Sequence, residues 1–168
     1  MTSTEDAYVI AKLHVATWQA AYRGLLPDDY LDSLSINARV RSWTQRLRTG
    51  SRVLLAEREA RLVGFVSYGS SRDEDAAEEV GELYAIYVQP QAWGTGVGRA
   101  LHDAAVGSLS AGGLEAATLW VLDSNERARG FYAGQGWRPD GRVKTDERPG
   151  ATLTEVRYRR HLRDSNDP

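Results

Sequence analysis

One stretch in the middle of this chain constrains the fold more than any other part of the sequence. An apolar run over 80–88 is followed by a glycine-rich turn over 93–98, an amphipathic stretch over 96–109 and a second apolar run over 116–122. Two strands that are joined through a helix can pair in parallel within one sheet. The sequence therefore predicts a strand–helix–strand unit whose two strands are parallel.

The spacing of apolar residues predicts the remaining elements, because side chains on one face recur about every 3.6 residues in helices and every second residue in strands. The predicted helices cover residues 7–22, 28–34, 37–48, 96–109 and 125–135, and the predicted strands 53–57, 62–68, 80–88, 116–122, 137–144 and 152–158. The polar, acidic stretch 70–79 is interpreted as a solvated loop. This order predicts an α/β or α+β fold, a three-layer domain in which a mixed, mostly antiparallel sheet carries helices on both faces.

Length and composition limit the classes of protein to which the chain can belong. Its 168 residues suit one domain over 1–168, and 42% hydrophobic residues suffice for a buried core. The formal net charge of −2 lacks the basic excess that is typical of nucleic-acid binding. No stretch approaches the ~20 apolar residues that span a bilayer, and residues 1–6 are polar and acidic. We therefore expect neither a membrane span nor a secretory signal, and a cytoplasmic location.

Missing residue types exclude several kinds of active site. The chain has no cysteine, which excludes disulfides, thiolate zinc sites and cysteine nucleophiles. Its three histidines are too scattered for a zinc-binding helix, and no metal is expected. Neither lysine, Lys12 or Lys144, follows a glycine, and no serine lies in a G-x-S-x-G turn, so P-loop and α/β-hydrolase signatures are absent. Arg99 stands where a dinucleotide fingerprint starting at Gly94 requires a small residue, which argues against NAD.

The glycine-rich turn has the properties of an anion site. Gly94, Gly96 and Gly98 allow backbone N–H groups to face outward, and the helix that follows presents the positive end of its dipole. Arg99 in the first helical turn adds positive charge. These features favour the binding of a pyrophosphate, and a flexible strand-to-helix connection is the alternative explanation.

The turn resembles the pyrophosphate loop of the GCN5-related N-acetyltransferase family, Q/R-x-x-G-x-G/A, with tryptophan at the position where the family has Gln or Arg. The resemblance implies acetyl-coenzyme A as cofactor and acyl donor. It also implies that backbone groups of Ile86, Tyr87 and Val88 pair with the pantetheine arm. The residues implied to hold the pyrophosphate are Trp93, Gly94, Thr95, Gly96, Val97, Gly98, Arg99 and Ala100.

A second segment, 125–137, resembles the family pattern N-x-x-A-x-x-x-Y-x-x-x-G-F. Asn125, Ala128 and Tyr132 recur at helical spacing and share one face of the predicted helix. The resemblance implies that this face contacts the cofactor together with Phe131, although a core role for the aromatic pair is the alternative. Asp123 is the predicted N-cap of the helix.

The resemblance extends from the first predicted helix to the last predicted strand. Family members open with a strand before their first helix, whereas this chain enters the helix almost directly. The first strand is therefore absent, very short or missing from this sequence. Many members dimerise through their C-terminal strands, which leaves a homodimer open.

Acetyl transfer to an amine needs a base, a donor for the carbonyl oxygen and an acid for the leaving thiolate. Glu82 lies eleven residues before Trp93. Histone-acetylating members of the family carry their catalytic glutamate at this spacing, so the resemblance implies that Glu82 is the base. A solvent-facing glutamate at the end of a strand is the alternative. The backbone N–H of Val88 is the predicted oxyanion donor, and the phenol of Tyr132, protonated at pH 7, the predicted acid.

Four aromatic residues are predicted to form the acceptor pocket, with a core position as the alternative for each: Trp18, Tyr22, Tyr84 and Trp120. Aromatic rings beside a carboxylate suit a cationic amine, and they suit a flat aromatic amine equally well. The main hypothesis is direct acetyl transfer to the primary amine of a small molecule, without a covalent enzyme intermediate. The alternatives are a non-catalytic acyl-coenzyme A binding module and an enzyme that acetylates protein or peptide amines.

Overall fold

A computed structural model describes residues 4–162, and it contains each helix and strand that the sequence predicts. The helices are α1 (Ala7–Tyr22), α2 (Asp28–Asp32), α3 (Ile36–Arg48), α4 (Val97–Ala111) and α5 (Glu126–Gly134), and the strands β1 (Arg52–Arg58), β2 (Arg61–Ser70), β3 (Val80–Val88), β4 (Ala116–Leu122), β5 (Arg138–Arg148) and β6 (Ala151–His161). Boundaries differ most from prediction in the final hairpin, where both strands are longer than the apolar pattern indicates.

The six strands form one mixed sheet in the order β1-β2-β3-β4-β6-β5. As predicted, β3 and β4 are parallel, and the other neighbouring pairs are antiparallel. The parallel pairing covers only Val80–Glu82 of β3 and Ala116–Thr118 of β4, after which the strands diverge. A bulge at Tyr84, the extra residue between two paired positions of β3, marks the start of this divergence. The open half of the sheet faces the glycine-rich turn.

Helices cover both faces of the sheet, which confirms the three-layer prediction. On one face, Leu101 and Leu109 of α4 pack against Leu83 and Leu119 of the central strands. On the other face, α1 and α3 enclose a cluster of buried apolar residues, among them Phe65 of β2. Burial of each such side chain stabilises the fold by about 1.5–3 kcal/mol. The first cluster includes buried residues of both β3 and β4, and Tyr87 of β3 packs against the second.

The loop between β2 and β3 is held by ion pairs, so its prediction as a merely solvated segment is wrong. Arg157 of β6 is almost fully buried and binds Asp73 at 3.0 Å, Asp75 at 2.7 Å and Asp140 at 2.7 Å. Its guanidinium lowers the pKa of the Asp75 carboxyl to about 2. These contacts join the loop to a strand more than eighty residues away, and only the folded arrangement of strands reveals the pairing.

A 3-10 turn over Thr4–Asp6 leads directly into α1, so no strand precedes α1 in the part of the chain from residue 4 onward. Residues 1–3 lie outside the described residues. They are part of the polar N-terminal segment, and a very short first strand would fall partly on them. Between residues 4 and 162, no helix is both long and apolar enough to cross a membrane.

His14 of α1 is a buried histidine held in its neutral form. Its Nδ1 accepts a hydrogen bond from the Trp43 indole N–H at 3.1 Å, and its ring stacks on Tyr87 at 4.7 Å between centroids. Its Nε2 is buried and has no hydrogen-bond partner among the described residues. Burial lowers the pKa of His14 to about 3, and the positive charges of Arg39 and Arg46 contribute to the lowering.

We expect the free energy of unfolding to fall as the pH falls from 6.5 toward 3. Unfolded His14 titrates near 6.5 and folded His14 near 3, so between these values the unfolded chain binds a proton that the folded chain does not. Above pH 6.5 both states are neutral and the effect vanishes. Between pH 7 and pH 4 this histidine accounts for about 3 kcal/mol, measurable by urea unfolding at several pH values.

His14→Gln keeps an acceptor for Trp43 but does not titrate, so its stability should depend less on pH than that of the wild-type chain. His161→Gln, a change at an exposed histidine on β6, is the matched control and should keep the wild-type slope. Equal slopes for His14→Gln and the wild-type chain would show that His14 does not cause the acid sensitivity.

Candidate functional site

A cleft of about 700 Å³ opens where β3 and β4 diverge. Residues from both strands, the glycine-rich turn, α1, α5 and β6 line it. Two regions of the cleft differ in character. The donor arm contains the glycine-rich turn and α5, and the acceptor arm contains aromatic residues of α1, β3 and β4 together with a β6 carboxylate.

The glycine-rich turn presents backbone N–H groups at the start of α4. Gly94 and Gly96 have φ values of +72° and +88°, in the left-handed region that glycine adopts without strain. Gly96 caps α4, and the first intrahelical bond in this turn runs from the Ala100 N–H to the Gly96 carbonyl at 3.0 Å. The N–H groups of residues 97–99 therefore have no helical partner and, with the helix dipole, form a site for an anion.

The side chains implied for the pyrophosphate do not all face the cleft. Trp93 and Arg99 line it together with the three glycines, whereas Thr95, Val97 and Ala100 do not. The Thr95 hydroxyl instead donates to the Ala92 carbonyl at 2.7 Å and closes the turn. The side chains at these three positions therefore do not contact a ligand in the cleft.

Trp93, the departure from the family pattern, has two partners in the structure. Its indole N–H donates to the Val88 carbonyl at 2.7 Å, which joins the turn to the end of β3. The Arg127 guanidinium of α5 lies 3.5 Å from the centroid of the Trp93 ring and lines the cleft. A positive charge is thus present beside position 93, although it comes from another helix. The sequence analysis missed Arg127, because no local pattern relates it to the turn.

The end of β3 directs backbone groups into the donor arm. The Gln89 N–H donates to the Val63 carbonyl of β2 at 2.8 Å. Because hydrogen-bonded and non-hydrogen-bonded pairs alternate along antiparallel strands, Val88 and Ile86 turn their amide groups away from β2. No β4 residue pairs with β3 beyond Glu82. Their N–H groups are therefore directed toward the cleft, as donation to a ligand there requires.

The N-cap of α5 is Asn125, and the prediction of Asp123 was wrong. The Asn125 side-chain oxygen accepts from the Ala128 N–H at 3.1 Å, while the Asp123 carboxylate pairs with Arg129 at 2.8 Å. Asn125, Ala128 and Tyr132, predicted to share one face of this helix, all line the cleft, as does Phe131. Capping uses the amide oxygen of Asn125 and leaves its NH₂ group for other partners.

Tyr132 of α5 places a phenol in the cleft. Tyr132 is 8% exposed. Its ring packs edge-on against the rings of Phe131 and Trp137, at 5.3 Å and 6.3 Å between centroids. No residue in the range 4–162 forms a hydrogen bond with its hydroxyl, which is not sealed off from the cleft. Burial raises the pKa of the Tyr132 phenol well above its ordinary value, and Tyr87 raises it further. The hydroxyl therefore carries its proton across the physiological range.

Glu82 lies outside the cleft, in an ion pair. It is 2% exposed, and its carboxylate accepts from the Arg72 guanidinium at 2.6 Å and from the Arg72 backbone N–H at 2.9 Å. The same guanidinium lies 4.0 Å from the centroid of the Tyr84 ring. A carboxylate engaged in this way is poorly placed to take a proton from an amine in the cleft. The geometry supports neither the predicted base nor the solvent-facing alternative, and it favours a role in fixing the loop.

All four aromatic residues predicted for the acceptor pocket line the cleft: Trp18, Tyr22, Tyr84 and Trp120. The α1 pair packs edge to face at 4.7 Å between centroids. Both strand aromatics are held where β2 ends and the loop before β3 begins. Tyr84 donates to the carbonyl of Ser70, the last residue of β2, at 2.7 Å, and the Trp120 indole donates to Asp73 of the loop at 2.9 Å. The ion-paired loop thus fixes this wall of the acceptor arm.

Glu155 of β6 is the carboxylate of the acceptor arm, and the sequence analysis missed it. It pairs with Leu122 of β4 in the sheet and lines the cleft. Burial raises the pKa of the Tyr22 and Tyr87 phenols, and the negative charge of Glu155 raises both further. The only signal in the sequence is an acidic residue within a strand, because the pairing of β6 with β4 brings it to the cleft.

Among residues 4–162, no group of three or more histidine and acidic side chains is arranged to hold a metal ion. The cleft instead offers N–H donors and guanidinium groups at one end, a protonated phenol, and a carboxylate among aromatic rings at the other end. This arrangement suits the binding of an anionic ligand beside a cationic one.

The chain is similar to known proteins in sequence and in fold. The family model described as "Acetyltransferase (GNAT) family" matches residues 12–137. A protein of Bacillus subtilis strain 168, "Uncharacterized N-acetyltransferase YuaI", is 37% identical over 155 residues, which are 90% of this chain and 86% of that protein.

Two solved structures share the fold. The acetyltransferase yncA from Salmonella typhimurium, solved with acetyl-CoA, has a TM-score of 0.70 at 19% identity, over 99% of this chain and 94% of that one. The paiA N-acetyltransferase from Thermoplasma acidophilum, solved with coenzyme A, has a TM-score of 0.68 at 19% identity, over 92% and 94% of the two chains.

Proposed function

We propose that this chain, which belongs to the acetyltransferase (GNAT) family, transfers an acetyl group from acetyl-coenzyme A to a primary amine of a small molecule. Membership of the family makes the chain an acetyltransferase with acetyl-coenzyme A as donor. The observation that carries the proposal is the composition of one cleft, in which anion-binding N–H groups, a protonated phenol and a carboxylate among aromatic rings line the same cavity.

The donor arm fits the coenzyme. Free N–H groups at the start of α4 and the guanidinium groups of Arg99 and Arg127 would hold the pyrophosphate. The backbone of Ile86 would pair with an amide of the pantetheine arm, as a missing strand would. The Val88 carbonyl is already engaged by the Trp93 indole. When bound, the coenzyme supplies an acetyl group activated as a thioester.

Two groups of the chain stabilise charge that develops during transfer. The backbone N–H of Val88 is directed into the cleft and would donate to the carbonyl oxygen as it gains negative charge. Tyr132 holds a proton at its hydroxyl and would give it to the departing thiolate. Since the chain has no cysteine and neither of these residues acts as a nucleophile, we propose direct attack by the amine without a covalent enzyme intermediate.

The acceptor arm suits a cationic amine. Aromatic faces attract a positive charge, and the Glu155 carboxylate supplies the opposite charge at the same place. A primary ammonium has a pKa of about 10.4 in water, so the amine must lose a proton before attack. We propose that Glu155, in place of Glu82, orients the ammonium and passes its proton to solvent.

The size of the cleft favours a small acceptor. Small-ligand pockets measure about 300–1,000 Å³, and here about 700 Å³ must hold both the acyl end of the donor and the acceptor. The α1 aromatics bound the acceptor arm on one side and β6 on the other. A peptide would need room for residues on both sides of its reactive amine.

The proposal is tested by measuring free thiol release from acetyl-coenzyme A in the presence of a panel of amines. The panel contains small aliphatic primary amines, flat aromatic amines, and peptides with a free N-terminus or a lysine. We expect the fastest release with a small aliphatic amine. Preference for a peptide would overturn the small-molecule assignment, and coenzyme binding without release for any amine would indicate a non-catalytic module.

The two glutamates provide a matched pair of variants for the same assay. Glu155→Gln removes the charge that attracts the ammonium, and we expect KM for a cationic amine to rise about tenfold. Glu82→Gln weakens the bond to Arg72 and should lower the free energy of unfolding by about 1–3 kcal/mol with little change in KM. If Glu82→Gln abolishes turnover of folded enzyme while Glu155→Gln has no effect, the assignment of the two carboxylates is reversed.

A further inference from the structure

An ammonium group of the chain itself contacts the wall of the acceptor arm. The Lys144 Nζ of β5 lies 4.2 Å from the centroid of the Trp120 ring and 3.4 Å from the Glu155 carboxylate. Both contacts are with residues that line the cleft. An aromatic face and a carboxylate together form a binding site for a cationic amine, and Lys144 occupies that site in the folded chain.

The sheet register explains this placement. Lys144 and Glu155 are direct cross-strand partners in the final hairpin, and Glu155 is in turn the partner of Leu122 of β4. Cross-strand partners project from the same face of a sheet, so the lysine extends over the acceptor face toward the diverging strands. Its side chain is 45% exposed, and its four-carbon stem can take several conformations.

The ammonium contacts the wall of the cleft that also contains Tyr132. Glu155, its ionic partner, contributes to raising the pKa of the Tyr22 and Tyr87 phenols, and both of these residues line the cleft. Trp120, Glu155 and Tyr132 line one cleft, and Lys144 contacts the first two of them. Neither lysine of the chain is itself a lining residue. Lys144 contacts two residues that are, whereas Lys12 is exposed on α1 and has no such contact among the described residues.

We propose that Lys144 is a self-acetylation site, modified by the cleft of its own chain. The inference rests on the proposed function, because the lysine uses the ammonium site assigned there to the external amine. The reacting group is a primary aliphatic amine, the acceptor class that the cleft is proposed to select. Tethering within the fold gives this amine a high effective concentration at the site.

The reaction needs only Lys144, acetyl-coenzyme A and water as a source and acceptor of protons. The Lys144 ammonium loses a proton through Glu155 to solvent, its nitrogen forms a bond to the acetyl carbonyl carbon, and the nitrogen then releases a second proton to solvent as the amide forms. The carbon–sulfur bond breaks, and the thiolate takes the Tyr132 proton, which solvent restores. The products are Nε-acetyl-Lys144 and free coenzyme A. Acetylation removes the positive charge, so the modified side chain no longer competes with an external ammonium for Trp120 and Glu155.

The test is to incubate the full chain with acetyl-coenzyme A, without added amine, and to follow acetylation by intact mass and peptide mapping. With only two lysines in the chain, the sites are resolved directly. We expect Lys144 to be acetylated at least about tenfold faster than Lys12. We also expect a first-order rate constant that is independent of protein concentration, since the reaction occurs within one chain.

Two variants separate catalysed acetylation from chemical acetylation. Tyr132→Phe should slow modification of Lys144 and leave the slow background at Lys12 unchanged. Lys144→Arg, which keeps the charge but cannot form the product, should remove the rapid phase. Equal rates at the two lysines, a Lys144 rate that Tyr132→Phe does not change, or a rate constant that rises with protein concentration would each overturn the proposal. Thiol release with external amines but an unmodified Lys144 would refute this inference and leave the proposed function intact.

Discussion

Tyr132→Phe is expected to lower turnover by about 10²–10⁴-fold, the range typical of lost general acid help. The substitution removes only the hydroxyl, which has no hydrogen-bond partner between residues 4 and 162 and faces the cleft. The ring contacts with Phe131 and Trp137 are preserved. Because burial raises the pKa of this phenol, the wild-type hydroxyl stays protonated at neutral and moderately basic pH. The loss should therefore be similar across that range.

The measurement compares kcat, the Kd of acetyl-coenzyme A and the thermal midpoint for wild type and variant. We expect a large fall in kcat and little change in Kd or thermal midpoint. The reason is that the hydroxyl is proposed to protonate the leaving thiolate and makes no contact that stabilises the fold. Tyr68→Phe is the matched control, since Tyr68 is a buried tyrosine of β2 that does not line the cleft. If Tyr132→Phe behaves like this control in turnover, Tyr132 is a core residue and another group protonates the thiolate.

Local patterns in the sequence predict most of the fold, because local physics produces them. Alternation of apolar residues predicts strands, and apolar spacing of three and four predicts helices. β3 and β4 coincide with their predicted ranges, and the glycine-rich turn has the left-handed φ values that explain its composition. The anion site follows from backbone geometry at a helix start, so it too is visible in the sequence.

The polar chemistry of the cleft depends on pairs that are distant in sequence. Glu82 has the expected position along the chain, but Arg72 from the preceding loop engages its carboxylate. Glu155 and Arg127 reach the cleft only because strands and helices assemble in one particular arrangement. An isolated acidic or basic residue in a strand or helix carries no sign of such a partner. The position of a binding site made by backbone groups can therefore be predicted from the sequence. The charged side chains that act on the ligand are predicted less well.

Gly98 is the position in the glycine-rich turn where a carboxylate can be introduced with the least damage to the fold. A Cβ at Gly98 would meet only ordinary contacts, Val88 at 3.8 Å and Phe131 at 3.9 Å. Unlike Gly94 and Gly96, Gly98 does not have a positive φ, so a side chain causes no backbone strain. It lies in the first turn of α4, where a negative charge interacts favourably with the helix dipole.

Gly98→Asp should therefore leave the thermal midpoint of the free protein unchanged or slightly higher and abolish its rise with coenzyme A. The carboxylate repels the pyrophosphate and competes for the same N–H groups. For the wild-type chain, ligand at 100 times its Kd adds about 2.7 kcal/mol to the free energy of unfolding, seen by differential scanning fluorimetry across a coenzyme A titration. Gly107→Asp, the same change at an exposed position of α4 outside the cleft, should keep the full response. An undiminished response in Gly98→Asp would place the pyrophosphate elsewhere.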